Sequence, residues 1–241
     1  MTSYTYLLVN FFTIIICFIY SFDKRIQFYK FFKSYALAAL IVGIPFIIWD
    51  IWFTAKGVWW FNDTYLIGWR IFGLPIEEIL FFFCIPFSCT FTYYCLNKFF
   101  DLRWTNAWNN LIVFITTIVC VVVALLNKDH IYTFVTGIVT AISVLYFHFI
   151  SKKEFIGQAS LLYTILMLGF FPVNGVLTGT GLETPIVNYN PNDFLGIRMG
   201  TIPIEDAVYG YAQFLWIIYF FIHFSNDLPF KRKDNLNQPS V

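Results

Sequence analysis

Two stretches of this sequence, "NDTYLIGWRIFGLPIEE" at residues 62–78 and "NPNDFLGIRMGTIPIED" at residues 190–206, align without a gap. Each opens with an asparagine, has an arginine seven residues before its first glutamate, and ends with a proline shortly before two acidic residues. Internal similarity of this kind indicates a repeated structural unit. The matched positions are Asn62 with Asn190, Gly68 with Gly196, Arg70 with Arg198, Pro75 with Pro203, Glu77 with Glu205, and Glu78 with Asp206.

The composition is that of a membrane protein. Of the 241 residues, 59% are hydrophobic and 12% are charged, which is about half the charged fraction of an average soluble domain. The net charge of +1 and the lack of a basic patch argue against a nucleic-acid partner. A membrane-spanning helix needs about 20 mostly apolar residues. Seven segments predict such helices, at 4–22, 34–53, 78–97, 108–126, 131–150, 157–177 and 206–224.

The distribution of basic residues predicts the orientation of these helices. Positive charge is enriched on the cytoplasmic side of membrane proteins. Every odd-numbered segment is followed by a basic link, which predicts a cell-membrane protein with its N-terminus outside and its C-terminus in the cytoplasm. The basic residues of these links and of the tail are Lys24, Arg25, Lys30, Lys33, Lys98, Arg103, Lys152, Lys153, Lys231, Arg232 and Lys233.

The repeat predicts how the seven helices are organised. Each unit runs helix, helix, loop, acidic motif, helix, so the fold is predicted to be all-α with two parallel three-helix repeats joined by a linking helix. Parallel membrane repeats tend to place functional sites at their shared interface. The predicted boundaries are 1–100 for the first repeat, 101–128 for the linking helix, 129–228 for the second repeat and 229–241 for a disordered basic tail.

The acidic pairs have a structural and a functional interpretation. A proline followed by acidic residues suits the first turn of any helix, where the helix dipole favours negative charge. The duplication, the matched arginines and the location at a membrane boundary favour a functional role. Consecutive helical residues point about 100° apart. We therefore expect one acid of each pair to face the bundle interior, while the other pairs with an arginine or stabilises the helix start.

Other polar residues are interpreted against this background. Asp50 and Thr54 are i, i+4 partners, and Asn174 and Thr178 occupy the matching positions of the second repeat. They are expected either to orient the acidic pairs or to form local hydrogen bonds at a helix end. The five cysteines lack metal-ligand spacing and the three histidines are scattered, so no metal site is predicted.

Two other classes of protein have seven membrane helices or parallel repeats. A retinal protein needs a lysine for its Schiff base, and residues 206–224 contain none. A parallel duplication of three helices also suits a small-solute transporter of the SWEET type. A transporter would account for polar residues in the membrane, but not for four carboxylates beside an aromatic-rich boundary.

The repeated motifs resemble a known enzyme family. "FNDTYLIGWRIFGLPIEEILFF" and "NPNDFLGIRMGTIPIEDAVYGY" resemble the two halves of the non-flavoprotein lycopene cyclases, which occur as two three-helix subunits or as fused chains with a linking helix. The chain resembles the fused form over nearly its whole length. The resemblance implies redox-neutral cyclisation of the linear ψ ends of lycopene to β-ionone rings. It also implies a polyene substrate dissolved in the lipid bilayer.

The resemblance carries over to individual residues. It implies Glu77, Glu78, Glu205 and Asp206 as the acid and base of the reaction. The groups implied to orient or support them are Arg70, Arg198, Asp50, Asn174, Asn62 and Asn190. The second repeat departs from the first by using Asp206 for Glu78 and Asn174 for Asp50, which suggests two specialised halves that share one site. No G-x-G-x-x-G follows a strand, so we expect no dinucleotide and no other cofactor.

Overall fold

A computed structural model describes residues 2–151, 155–225 and 228 of the chain. Within these residues the main elements are seven α-helices. The predicted disordered tail at 229–241 lies outside the described residues, and so do Lys152 and Lys153 of the orientation prediction. The helices are α1 (Thr5–Tyr20), α2 (Phe32–Lys56), α3 (Ile76–Phe99), α4 (Asn109–Leu126), α5 (Ile131–Leu145), α6 (Ile156–Leu177) and α7 (Ile204–Phe224).

Six of these helices, α2 to α7, are long and apolar enough to cross a membrane, with α5 continued by a π-helical turn at Tyr146–Ile150. The all-helical, multi-pass membrane fold predicted from the sequence is thereby confirmed. The remaining helix, α1, is apolar but has 16 residues, fewer than the roughly 20 that span a bilayer. A seventh span therefore stays a prediction.

A short sheet joins the two repeats at one end of the helix bundle. Strand β1 (Trp59–Phe61) follows α2 and pairs antiparallel with β4 (Val187–Tyr189), which follows α6. The pairing places Trp59 opposite Tyr189. Because β1 and β4 belong to the links that lead into α3 and α7, both acidic motifs lie at this same end of the bundle.

Each acidic motif is preceded by a short β-hairpin, in which two strands of two residues are joined by a two-residue turn. Strand β2 (Arg70–Ile71) pairs with β3 (Leu74–Pro75), and β5 (Arg198–Met199) pairs with β6 (Ile202–Pro203). The first turn has positive φ at both central residues, 50° at Phe72 and 87° at Gly73, which matches the strand twist as a type I′ turn does. The second turn begins with Gly200 at φ 66°. The last residue of each hairpin is a proline, and the next helix begins directly after it.

Equivalent helices pack against each other in the two repeats. Helix α1 packs against α3, and α5 packs against α7 in the same way. Across the repeats, α2 packs along α7 while α6 contacts α3. The two cross-repeat contacts differ in extent, because the α2–α7 contact is much the larger. Helix α6 therefore leaves space between itself and α3.

Candidate active site

The arginine of the first motif closes its hairpin. Arg70 Nη1 donates to the carbonyl oxygen of Gly73 at 2.8 Å, and Arg70 Nη2 lies 2.6 Å from Asp63 Oδ1. Among the hydrogen bonds and ion pairs of the described residues, Arg70 makes none with a motif glutamate. The expected arginine–glutamate pair is therefore absent from the first repeat, because the side chain is held by its own turn.

The second arginine closes its hairpin in the same way but has different neighbours. Arg198 Nη1 donates to the carbonyl oxygen of Thr201 at 2.5 Å. Position 191, which matches Asp63, is a proline, so the ion pair of the first repeat has no counterpart. The guanidinium group instead lies over two rings, 4.9 Å from the centroid of Phe194 and 5.7 Å from that of Tyr189. Arg198 thus contacts a residue of the site, whereas Arg70 does not.

The first acid of each motif holds the preceding loop against the helix start. Glu77 Oε1 accepts the backbone N–H of Ile67 at 2.7 Å, and Glu205 Oε1 accepts that of Leu195 at 2.8 Å. Thr133 Oγ1 also donates to Glu205 Oε1 at 2.6 Å. Both glutamates are buried, at 0% and 3% exposure. In each repeat the carboxylate receives the amide ten residues before it, so these two acids organise the loop.

This loop contact yields a prediction for stability. Glu77→Ala removes the acceptor of the partly buried Ile67 amide, and the loss is expected to cost about 1 kcal/mol, the low end of the range for an unpaired buried donor. We expect a lower thermal unfolding temperature for the purified protein in detergent. Glu77→Gln keeps a carbonyl oxygen in the same place and serves as the matched control, with a much smaller shift. An unchanged unfolding temperature for Glu77→Ala would contradict the role of this contact.

The second acid of the first motif faces a different environment. Glu78 is buried, and its Oε2 accepts a hydrogen bond from the Tyr6 hydroxyl at 2.6 Å. Its carboxyl group also lies near that of Asp50 on α2, close enough for the two groups to interact electrostatically. Two carboxyl groups can hydrogen-bond to each other when they share a proton. The packing of α2 against α3 thus creates a carboxyl pair.

Asp50 also accepts hydrogen bonds from residues outside this pair. Its Oδ1 accepts the indole N–H of Trp59 at 2.6 Å and, more weakly, the hydroxyl of Thr54 at 3.4 Å. Its Oδ2 has no hydrogen-bond donor among the residues that the structure describes. One buried oxygen of the pair is therefore without a protein donor in the described part of the chain.

The second acid of the second motif is held by two tyrosines. Asp206 Oδ1 accepts the hydroxyl of Tyr132 at 2.6 Å, and Oδ2 accepts that of Tyr189 at 2.7 Å. Burial, and then the charge of Asp206, raise the pKa of the Tyr189 hydroxyl well above its ordinary value. Tyr189 therefore remains a hydrogen-bond donor. Two hydroxyl donors favour an ionised carboxylate, which is an acceptor on both oxygens.

These groups line one cavity of ≈ 550 Å³ between the repeats, within the range of roughly 300–1,000 Å³ typical of small-molecule sites. Most of its wall is apolar, from α1, α3, α6 and α7. Glu77 and Glu205 are not among the described residues that line it. The polar or aromatic residues at its acidic end include Tyr6, Asp50, Trp59, Glu78, Tyr132, Tyr189, Asp206 and Tyr209.

Among the described residues, the space equivalent to this cavity in the other repeat is filled. The matching position would lie between α2 and α7. There the Tyr209 ring packs 5.1 Å from Phe46 and 4.9 Å from Trp49, while the Phe53 ring lies 6.0 Å from Tyr132. These aromatic contacts close the α2–α7 side. The looser α3–α6 side stays open, so acids of both repeats face one cavity.

The cavity also reaches the outer surface of the bundle. Leu168 and Ile165 of α6 line it and are at the same time 79% and 38% exposed. On a membrane-spanning helix, such exposure faces lipid. The cavity is therefore open toward the bilayer along α6.

The remaining predicted residues divide between the loops and the cavity. Asn62 and Asn190 form loop turns, accepting the amides of Thr64 and Asn192 at 3.1 Å. Asn174 lines the cavity, and its side-chain amide donates to a backbone carbonyl at 3.3 Å. The expected side-chain pair with Thr178 does not form, because the Thr178 hydroxyl donates to the Asn174 backbone carbonyl at 2.8 Å. The matching Asp50–Thr54 contact does form.

The residues that sequence reasoning missed are the donors to the acids. Tyr6 and Tyr132 bind Glu78 and Asp206 from the first turns of α1 and α5. A signal was present, since "YLLVN" at 6–10 and "YTFVT" at 132–136 begin matching helices. Trp59 and Tyr189 are opposite each other in the β1–β4 sheet. Their partners, however, are set by the fold and not by spacing along the chain.

Comparison with known proteins identifies one family. A family model described as lycopene cyclase matches the chain twice, over residues 3–96 and 129–224. The two matched segments carry one acidic motif each, and the stretch between them contains α4. No curated protein and no solved structure matches the chain.

Proposed function

The chain belongs to the lycopene cyclase family, and from that premise we propose that it closes the linear ψ ends of lycopene into β-ionone rings by acid–base chemistry. Membership makes the protein a cyclising enzyme, an intramolecular lyase, and does not favour the transporter alternative. The observation that carries the proposal is the cavity. A carboxyl pair and a separate carboxylate face one largely apolar space.

We assign the acid to the Asp50–Glu78 pair. Two neighbouring buried carboxyls can share one proton and transfer it, and the assignment is supported by Asp50 Oδ2, which has no hydrogen-bond donor in the described part of the chain. We assign the base to Asp206. Its two tyrosine donors stabilise the ionised form, which can accept a proton. Carboxyl groups in different surroundings divide acid and base roles in this manner.

The reaction then proceeds without a change in oxidation state. The acid transfers its proton to the terminal double bond of the ψ end and leaves a tertiary carbocation. The neighbouring double bond attacks that cation, forming the ring bond and moving the positive charge to a ring carbon. Asp206 takes the proton from the ring carbon that bears the polyene chain, which places the new double bond as in a β ring. General acid–base transfer of this kind contributes typically 10²–10⁴-fold.

The surroundings suit the cationic intermediate. Water would trap a carbocation, and the apolar wall keeps water out. The aromatic rings of Trp59, Tyr132 and Tyr209 line the acidic end, and aromatic faces attract positive charge. The carboxylates add electrostatic stabilisation at the place where the charge develops.

The open side along α6 supports a route for the substrate. A polyene dissolved in the bilayer can enter sideways between α3 and α6, with one end in the cavity and the rest in lipid. The orientation predicted from the basic links, with a cytoplasmic C-terminus, then places the acidic end near the outer surface of the cell membrane. The boundaries 1–100, 101–128 and 129–228 remain our proposal for the first repeat, linking helix and second repeat.

The proposed product is tested by expression in a host that accumulates lycopene. We expect conversion to products with β rings, identified by chromatography and absorption spectra of the pigment extract. Carotenoid products with ε rings would still demonstrate cyclase activity, but they would contradict our assignment of the abstracted proton. Unchanged lycopene, with the protein verified in the membrane, would contradict the proposed substrate.

A further inference from the structure

After each cyclisation in the proposed reaction, the acid lacks a proton and the base carries one, so the enzyme cannot start the next turnover. The acid and the base are different groups, so each ring formed moves one proton from the Asp50–Glu78 pair to Asp206. Before another ψ end can be protonated, the pair has to regain a proton and Asp206 has to lose one. In a cavity with an apolar wall, the return needs a group that both accepts and donates a proton.

Tyr209 has the position for such a group. It lies on α7 three residues after Asp206, so the two side chains share one helix face. Its ring also packs against Trp49 of α2, at 4.9 Å between centroids, beside the position of Asp50. Tyr209 lines the cavity and interacts electrostatically with Asp50, Glu78 and Asp206. It is therefore near both the assigned acid and the assigned base.

The Tyr209 hydroxyl also has the required freedom. Its oxygen is buried and makes no hydrogen bond to any residue in the described ranges. The hydroxyls of the other tyrosines at the acidic end already have partners, since Tyr6, Tyr132 and Tyr189 each donate a hydrogen bond to a carboxylate. A buried hydroxyl without a partner is unfavourable. Such a group at a site calls for a functional explanation.

We infer that Tyr209 returns the proton from Asp206 to the Asp50–Glu78 pair after each cyclisation. This inference rests on the proposed function. The hydroxyl gives its proton to a carboxylate oxygen of the pair and takes the proton that Asp206 removed from the ring. One O–H bond breaks and one forms at the tyrosine oxygen, so Tyr209 ends unchanged and no proton is consumed. We call this return of the proton the reset step, and Tyr209 is the catalytic residue of that step.

The repeat itself shows that this hydroxyl is not a requirement of the fold. The position matching Tyr209 in the first repeat is Phe81. Phe81 also lines the cavity, and its ring packs 6.1 Å from Tyr6. A phenylalanine therefore fills the same place on the matching helix, and the hydroxyl is specific to the second repeat.

The test is Tyr209→Phe in the purified protein reconstituted in lipid vesicles with lycopene. The first ring on each enzyme molecule needs no reset, so it should form at the wild-type rate. We expect about one ring per enzyme to form rapidly and the steady-state rate to fall about 10-fold or more. Tyr209→His, whose imidazole can pass a proton, should have a steady-state rate above that of Tyr209→Phe.

The matched control is Tyr211→Phe. Tyr211 is on the same helix, is partly buried and bonds Ser160 at 2.7 Å, outside the cavity lining. A steady-state rate for Tyr209→Phe equal to that of the control would overturn the inference, as would loss of the first ring, which would place Tyr209 in the chemical step. A Tyr209→His rate no higher than that of Tyr209→Phe would also count against it. Absence of rings from the wild type and the control would instead remove the proposed function.

Discussion

Glu78→Gln is expected to lower ring formation by about 10²–10⁴-fold, the usual contribution of general acid–base catalysis. Glutamine has nearly the same shape as glutamate, and its carbonyl oxygen can still accept the Tyr6 hydroxyl. It has no acidic proton to give, and it breaks the carboxyl pair with Asp50. The measurement is the amount of cyclic product per unit of membrane protein, in a lycopene-producing host.

Glu183→Gln provides the control for this experiment. Glu183 is exposed in the link after α6, so the same chemical change there should leave activity unaltered. The amount of Glu78→Gln protein in the membrane should match the wild type, because the exchange removes no packing. If Glu78→Gln retained more than about a tenth of the activity, the acid could not be this pair.

Asp206→Asn is expected to cause a loss of similar size, about 10²–10⁴-fold, by a different route. Asparagine can accept the Tyr132 and Tyr189 hydroxyls on its single oxygen at best, and it cannot take a proton from the ring. Protonation and ring closure remain possible, since the Asp50–Glu78 pair is intact. Residual product should therefore include rings whose double bond lies at another position, detected by the absorption spectrum and retention time of the pigment.

The two variants are distinguished by their products as well as by their rates. Loss of the acid should leave lycopene with no ring of any type, while loss of the base should leave a small amount of rings other than β rings. Asp129→Asn, an exposed exchange between α4 and α5, is the control. If Asp206→Asn made normal β rings at the rate of this control, the base assignment would be wrong.

Much of the fold could be predicted from the sequence because membrane insertion depends on composition over about 20 residues. The predicted helix at 108–126 compares with α4 at Asn109–Leu126, and that at 206–224 with α7 at Ile204–Phe224. The helix α1 is shorter than the predicted 4–22, since the chain leaves the helix after Tyr20. Apolar length therefore located the helices to within a few residues.

The site was less accessible to sequence reasoning. The acidic pairs were recognised, but the sequence could not say which acid of each pair enters the cavity. That choice depends on the rotation of α3 and α7 about their own axes, which is set by packing against α1 and α5. The equal spacing of the arginines predicts that they lie near the glutamates, yet they close hairpins at Gly73 and Thr201. Equal spacing here reflected a repeated turn.

The sequence by itself determined a membrane protein of two parallel repeats with an acidic pair at one end of each, because hydrophobicity and repetition are properties of the chain. Only the tertiary structure decided that Glu78 and Asp206 face one cavity while Glu77 and Glu205 hold loops. It alone brought Tyr6 to Glu78, 72 positions apart, and closed the α2–α7 side with aromatic rings. The partners of a buried carboxyl are chosen by long-range packing, which no local pattern in the sequence encodes.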